Sequence, residues 1–407
     1  MTARNREEAH RASTPLELFF DLCFVVAVAQ AGTRLMHALA EGHVGTGVIG
    51  YLFIFWGVWW AWMNFTWFAS AYDIDDVPYR IATLVQICGA LIYAAGVPRA
   101  FDDNDWTIAV VGYVVMRLAL TTQWLRATAS EPAGSPARRT NVNYAVGLVV
   151  CQLAWLGLLA VPDGVKHWLF LVVGAAEMLV PVVAERGHET PWHPHHIAER
   201  YGLFTLIVLG ETMSAATVAV QSALDEHEAL DRLLPIAGGG ILIVFAAWWI
   251  YFAVPAQRRL KGNRQAIPWG YGHFVIFGSA AAIGAGLEVA VEQATGEAHI
   301  STLAASAAVT VPAAVFLLTV WLLHARHIKS GTAQQIVLPG AAVAIAAVTF
   351  AGSWAVLTAG LVAAVAVAVG VTLVRSGTGD GTDHGRADNG GTDNGTDWET
   401  DEDHDSE

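Results

Sequence analysis

The sequence has 407 residues, 55% of them hydrophobic and only 14% charged, with 16 Trp and a mean hydropathy of +0.46. That balance excludes a chain of two or three soluble domains and makes the lipid bilayer its main solvent. The formal net charge is −14, no nucleic-acid partner is expected, and three cysteines without CxxC spacing, Cys23, Cys88 and Cys151, suggest neither a disulfide framework nor a zinc site.

Residues 1–16 are polar and hold no apolar core ahead of a small-residue cleavage site, so they read as a cytoplasmic N-terminal segment and not as a signal peptide. Crossing about 30 Å of hydrocarbon at 1.5 Å per residue takes about 20 apolar residues. Twelve windows meet that length: 17–38, 47–69, 80–98, 106–125, 142–161, 165–185, 197–221, 233–254, 269–291, 300–323, 335–352 and 354–374. Only Gly352 and Ser353 separate the last two. The expected fold class is all-α, a polytopic transmembrane helical bundle of about 12 spans. After Val374 the composition turns to Gly, Thr, Asp, Asn and Glu, and 11 of the 36 acids follow Ser376. Residues 375–407 lack apolar groups to offset their ordering entropy and should form a disordered acidic tail. The tail, with 19 Arg against three Lys, resembles the composition of salt-adapted, halophile proteins.

With the N-terminus inside, the alternating windows place seventeen Lys and Arg in the cytoplasm and three outside, Arg99, Lys166 and Arg232. Both termini are then cytoplasmic. The halves also correspond. Glu17 and Glu199 each open a span, Trp59-Trp60 answers Trp248-Trp249, Val77-Pro78 answers Ile267-Pro268, and Gly96 answers Gly286, the offset drifting from 182 to 190. Two parallel six-helix repeats, 17–185 and 197–374, joined by a cytoplasmic linker 186–196, would account for this; chance matches among common residues of apolar sequence are the other account.

An ionisable side chain in hydrocarbon costs about 2.5–3.5 kcal/mol, so each one within a span needs a partner, a cavity or a function. On the first span Asp21 lies four residues beyond Glu17 and on the same face. Gln30 points to another side, at nearly the depth expected for Glu211 on the seventh span, which opens with Glu199 and Arg200. A polar site lined by Gln30 and Glu211 near mid-membrane is one expectation; a hydrogen bond that merely fixes packing is the other. Arg117 and Glu177, near the centres of spans four and six, should form an intramembrane ion pair. Glu288 has no evident partner, and His273 is either a hydrogen-bonded core residue or a titrating group.

The loop from His188 to His196, followed by Glu199, has metal-ligand residue types, with His193, His195 and His196 as weak candidates. Two prolines and the lack of a known zinc or iron spacing favour a polar loop that starts helix seven, so no metal and no cofactor is expected. Asp73, Asp75 and Asp76 with Arg80 make a solvated loop before span three, and Arg258, Arg259, Lys261 and Arg264 should meet anionic headgroups. The sequence has no phosphate-binding glycine loop, no GxSxG and no HExxH.

The stretch ELFFDL with Phe24, and HIAERYGLFTLIVLGE from His196 to Glu211, resemble the low temperature requirement protein A family of bacterial and archaeal membrane proteins. Asp76, Arg80 and Gln86, the WWIYF run from Trp248 to Phe252, and His273 extend the resemblance over most of residues 14–374. It implies a multi-pass cell-membrane protein linked to growth in the cold, with no established molecular activity. The family's WWxYF run is usually followed by an acid, where this chain has Ala253.

The leading functional expectation is a transporter or channel-like permease for a small solute or ion. Its polar pathway would be lined by Glu17, Asp21, Gln30, Glu199, Arg200, Glu211, His273 and Glu288, at the interface of the halves. The partners implied are the lipid bilayer and that solute or ion; oligomeric state is not legible. The alternatives are a membrane enzyme or sensor with a cytoplasm-facing site from His193 to Glu199, and a structural membrane protein whose intramembrane charges are all internally paired.

Overall fold

The computed structural model describes residues 12–72, 74–225, 230–327 and 331–379. Residues 1–11 of the N-terminal segment, Asp73, and the acidic tail from residue 380 lie outside the described residues. Among the described residues the regular structure is helical throughout: α1 Pro15–Ala40, α2 Val44–Tyr72, α3 Val77–Asp102, α4 Thr107–Ser130, α5 Pro136–Leu158, α6 Asp163–Ala184, α7 Pro194–Asp225, α8 Leu230–Phe252, α9 Asn263–Thr295, α10 Thr302–Leu323, α11 Thr332–Val348 and α12 Ala355–Gly379. One helix occupies each apolar window.

Ten segments of the described residues are long and apolar enough to cross a membrane, which makes this a multi-pass membrane protein. α7 is not among the ten, and α11 and α12 count as one stretch, Thr332–Arg375. That pair is joined by a 3-10 turn, Thr349–Trp354, in which Gly352 takes φ 64° and ψ −136°. A side chain at that left-handed position would be strained, so glycine lets the chain bend there without a loop.

Local chemistry sets the helix starts. Thr14 and Glu17 form a capping box: Thr14 Oγ1 accepts from the Glu17 N–H at 3.3 Å, and Glu17 accepts from the Thr14 N–H at 2.8 Å. Asp76, Ser135 and Ser301 cap α3, α5 and α10 in the same way from their side chains. α7 begins at Pro194, whose fixed φ and missing donor suit a first helical turn.

α2 and α9 form the centre. Trp59, Trp60 and Trp62 of α2 are fully buried, and α9 buries 78% of its most apolar window against 17% for α6. In the first half α1 packs on α2 and α3, then α3 on α4, α4 on α5 and α5 on α6. In the second half α7 packs on α8 and α9, then α9 on α10, α10 on α11 and α11 on α12. A Cβ on Gly96 would stand 2.4 Å from the Ala109 nitrogen, and one on Gly286 would stand 2.1 Å from the Ala308 oxygen. Both glycines therefore bring helix backbones into direct contact, α3 with α4 and α9 with α10. α1 and α2 each touch α7 and α9, which joins the halves.

Candidate functional site: two buried charge centres and two clefts

The first charge centre lies where α1 and α7 begin. Glu17 and Asp21 sit one turn apart on α1, as His196 and Arg200 do on α7, so each helix presents two polar groups on one face. Arg200 Nη1 lies 3.1 Å from Glu17 Oε1, and Arg200 Nη2 donates to Asp21 Oδ1. His196 Nε2 is 3.0 Å from Glu17; because a carboxylate only accepts, that nitrogen carries a hydrogen. Trp62 Nε1 donates to Asp21 at 2.6 Å. All four charged or titratable side chains are 0% exposed. Arg200, which the sequence places at the opening of the seventh span, is bound to the two acids of α1. Glu199, its neighbour, turns away and accepts from the Ser13 N–H at 3.2 Å.

The second centre joins α4 and α6. Arg117 Nε and Nη2 each reach Glu177 Oε1 at 2.9 Å, and Nη2 also donates to Asn64 of α2 at 3.2 Å. Tyr113, Trp155 and Gln152 donate to the same carboxylate at 2.9, 2.7 and 3.3 Å. Spacing alone flagged the two charges; the three neutral donors have no separate signal, being ordinary polar residues of apolar helices.

The remaining polar residues disperse. Gln30 and Glu211 are both half-buried, and no hydrogen bond joins them among the described residues. The reason is that Thr212 packs on α9, donating to the Ala280 carbonyl at 3.0 Å and lying against Gly284, while Glu211 comes within electrostatic reach of Glu288. His273 is fully buried; its Nδ1 meets the Trp269 carbonyl at 2.8 Å and so carries the hydrogen, which leaves Nε2 to accept from the Tyr251 hydroxyl at 3.0 Å. His193, His195 and His196 serve separate partners. His193 Nδ1 accepts from the His196 N–H at 3.4 Å, His195 stands 3.9 Å from Glu199, and His196 binds Glu17. Among the described residues no group of three or more His, Cys, Asp or Glu is placed to hold a metal ion.

Around the loop between α2 and α3, Asp76 accepts from Arg126 at 2.6 Å and caps α3, Arg80 pairs with Asp75 at 2.6 Å, and Gln86 donates to Gln123 at 3.1 Å within the α3–α4 contact. The hydrogen bonds from Arg80 and Arg126 hold Asp75 and Asp76 below the usual carboxylate range. Glu185, which the sequence did not single out, ends α6 in a network with Tyr144, Thr190 and Asn263. Burial pushes its carboxyl up, against the pull of those three donors.

Two openings face opposite ways. A vestibule of about 1180 Å³ is lined by Arg34, His37, Glu41, Asp102, Trp106 and His167, at the far ends of α1 and α3 and the starts of α4 and α6. A cleft of about 370 Å³ lies between the start of α7 and the ends of α8 and α10, lined by His195, Glu199, Tyr251, Phe252, Gln257 and His324. Because the start of α1 meets the start of α7, and His37 lies about 30 Å further along α1, the vestibule and the cleft open on opposite faces. Neither is lined by Glu17, Asp21, Arg200 or Glu211.

The sequence pattern of a family described as bacterial low temperature requirement A protein matches residues 12–373, a range that holds both charge centres and both openings. The chain belongs to this family. A relative from Rhizobium meliloti (strain 1021), described as an uncharacterized protein, is 30% identical over 285 residues. That match spans 66% of this chain and 66% of the relative, just under two thirds of its length. In this low temperature requirement A family member, Ala253 stands exposed between Phe252 and Val254, two residues of the smaller cleft's wall.

Proposed function

We propose that this family member is a permease of the cell membrane for a small solute or ion. The observation that carries the reading is the pair of openings on opposite faces, separated by a wall in which the Glu17–Asp21–Arg200–His196 centre bridges α1 and α7. Two parallel six-helix repeats with both termini in the cytoplasm fit the order of sequential helix contacts that the halves share, apart from the added packing of α12 on α8, and the matching placement of Gly96 and Gly286. Charges that span such a seam suit a molecule that rocks one half against the other, since an ion pair across it has discrete made and broken states. Of the polar residues named from the sequence, Glu199 lines the inner cleft, and Glu211 and Glu288 continue the α7–α9 seam toward the outer face as its deeper part.

Uptake of ions and small solutes into vesicles reconstituted with the full chain tests this reading. Flux should fall at least about tenfold in Asp21→Asn, an interaction loss of the size expected for a buried charged group, and should fall also in Glu211→Gln. Flux indifferent to both substitutions would overturn it. One observation favours a purely structural role instead, the complete internal pairing of Glu177, and that role predicts no flux at all.

A further inference from the structure

The inner cleft gathers acceptors that the protein itself leaves without donors. His324 follows the last residue of α10 and is 3% exposed. Its ring is boxed by Trp269, stacked at 18° and 5.9 Å, by Tyr251 at 5.0 Å and by His273 at 5.5 Å, and the residue lines the cleft. Neither of its nitrogens makes a hydrogen bond of good geometry, although the Tyr251 carbonyl lies close to one of them. On the opposite wall Glu199 gives one oxygen to Ser13, and its other oxygen is buried with no hydrogen bond, 3.9 Å from His195. Between these polar groups the wall is apolar: Leu203, Leu206, Phe252 and Val254.

We infer that this cleft binds a small organic cation, an amine in its ammonium form with an apolar body. A buried carboxylate oxygen and an imidazole nitrogen both require donors, which an ammonium supplies in number and a carboxylate or phosphate does not. Phe252 and Tyr251 add aromatic rings to the lining, a residue type that attracts cations, and the apolar wall takes the hydrocarbon. Two helix C-termini, those of α8 and α10, end at the cleft against one N-terminus, that of α7, so the helix fields also favour positive charge. Arg259, the cation within electrostatic reach of His324, is held on the Leu323 carbonyl at 2.7 Å. The volume of about 370 Å³ falls within the range of about 300–1,000 Å³ typical of small-molecule pockets.

Binding is inferred from the cleft alone; that the bound amine is also carried across the membrane rests on the permease reading. Calorimetric titration of the full chain in detergent with n-butylammonium, against butyrate and n-butanol, separates charge from shape. Saturable binding of butylammonium only is expected, weakened about tenfold or more by Glu199→Gln and by His324→Gln, the size of a lost hydrogen bond to a charged group. Leu206→Trp fills the cleft from an exposed position without touching a polar atom and should abolish binding, which keeps the test sound should the His324 variant fold poorly. Binding of butanol or butyrate as tight as that of butylammonium, or binding unchanged by Glu199→Gln and Leu206→Trp, overturns the inference. Flux without cleft binding would leave the permease standing and remove the amine site; cleft binding without flux would do the reverse.

Discussion

At the seam of α1 and α7 two carboxylates meet one guanidinium, one histidine, one indole N–H and the Thr14 N–H, whereas between α4 and α6 a single carboxylate collects five donor contacts. Both centres are wholly buried, so both carry a desolvation cost that only pairing offsets. They differ in where charge closes. Glu177 and Arg117 balance one to one and lie within one half. Glu17, Asp21, Arg200 and His196 lie between halves, with one guanidinium bridging both acids of α1. A pair within one half fixes packing there; a guanidinium that bridges two acids across a seam ties the relation of the halves to that cation.

The largest effect should come from removing that cation. Arg200→Gln leaves two carboxylates buried within one turn of each other and should destabilise the folded protein by about 3–5 kcal/mol, the cost of stranding a buried charge. Thermal unfolding in detergent measures it. Arg117→Gln should cost less, because Tyr113, Trp155 and Gln152 still solvate Glu177. Equal losses for the two variants would erase the distinction between the centres. The neutral donors can then be weighed directly: Trp155→Phe alone should cost about 1–3 kcal/mol, the range for leaving a buried acceptor short of a partner. Combined with Arg117→Gln it should cost more than the two single losses together, by a coupling of about 0.5–3 kcal/mol, since each donor compensates for the other. Strict additivity would mean that Glu177 is not solvated as one network.

How much of this could be read from the chain follows from what hydropathy measures. A run of apolar residues marks a helix whatever lies around it, so all twelve windows hold helices, and a charge inside such a run announces itself. Arg117, Glu177, Glu17 and Asp21 were legible for that reason. Arg200 was visible as a charge opening the seventh span, but its partners were not, because a cation beside a span end looks the same whether it meets water or two acids. The Gln30–Glu211 expectation rested on depth alone. Depth does not specify rotation about the helix axis, which Thr212 and Gly284 set through the α7–α9 contact. His324 and Glu185 gave no signal at all: each follows the last residue of a helix, where polar residues are expected, and only the neighbours decide that they are buried.

The same contrast between a satisfied and a burdened carboxylate recurs outside the spans, at smaller scale. Asp76 accepts from Arg126 and from the first turn of α3, which lowers its pKa in the fold. Its contribution to stability is therefore present above the ordinary carboxylate pKa and lost as pH falls through its lowered folded value. For Glu185 burial is the largest influence and raises the pKa, so the folded state favours the proton. That contribution is present below the ordinary carboxylate pKa and lost as pH rises through the raised value. Asp76→Asn keeps a helix cap while removing the half-exposed ion pair, so near neutrality it should cost less than about 1 kcal/mol. It should also flatten the fall in unfolding temperature toward acid, whereas Glu185→Gln should flatten the fall on the less acidic side of the carboxylate range. If the two substitutions bent the pH profile in the same direction, burial and pairing would not be acting oppositely on these two carboxylates.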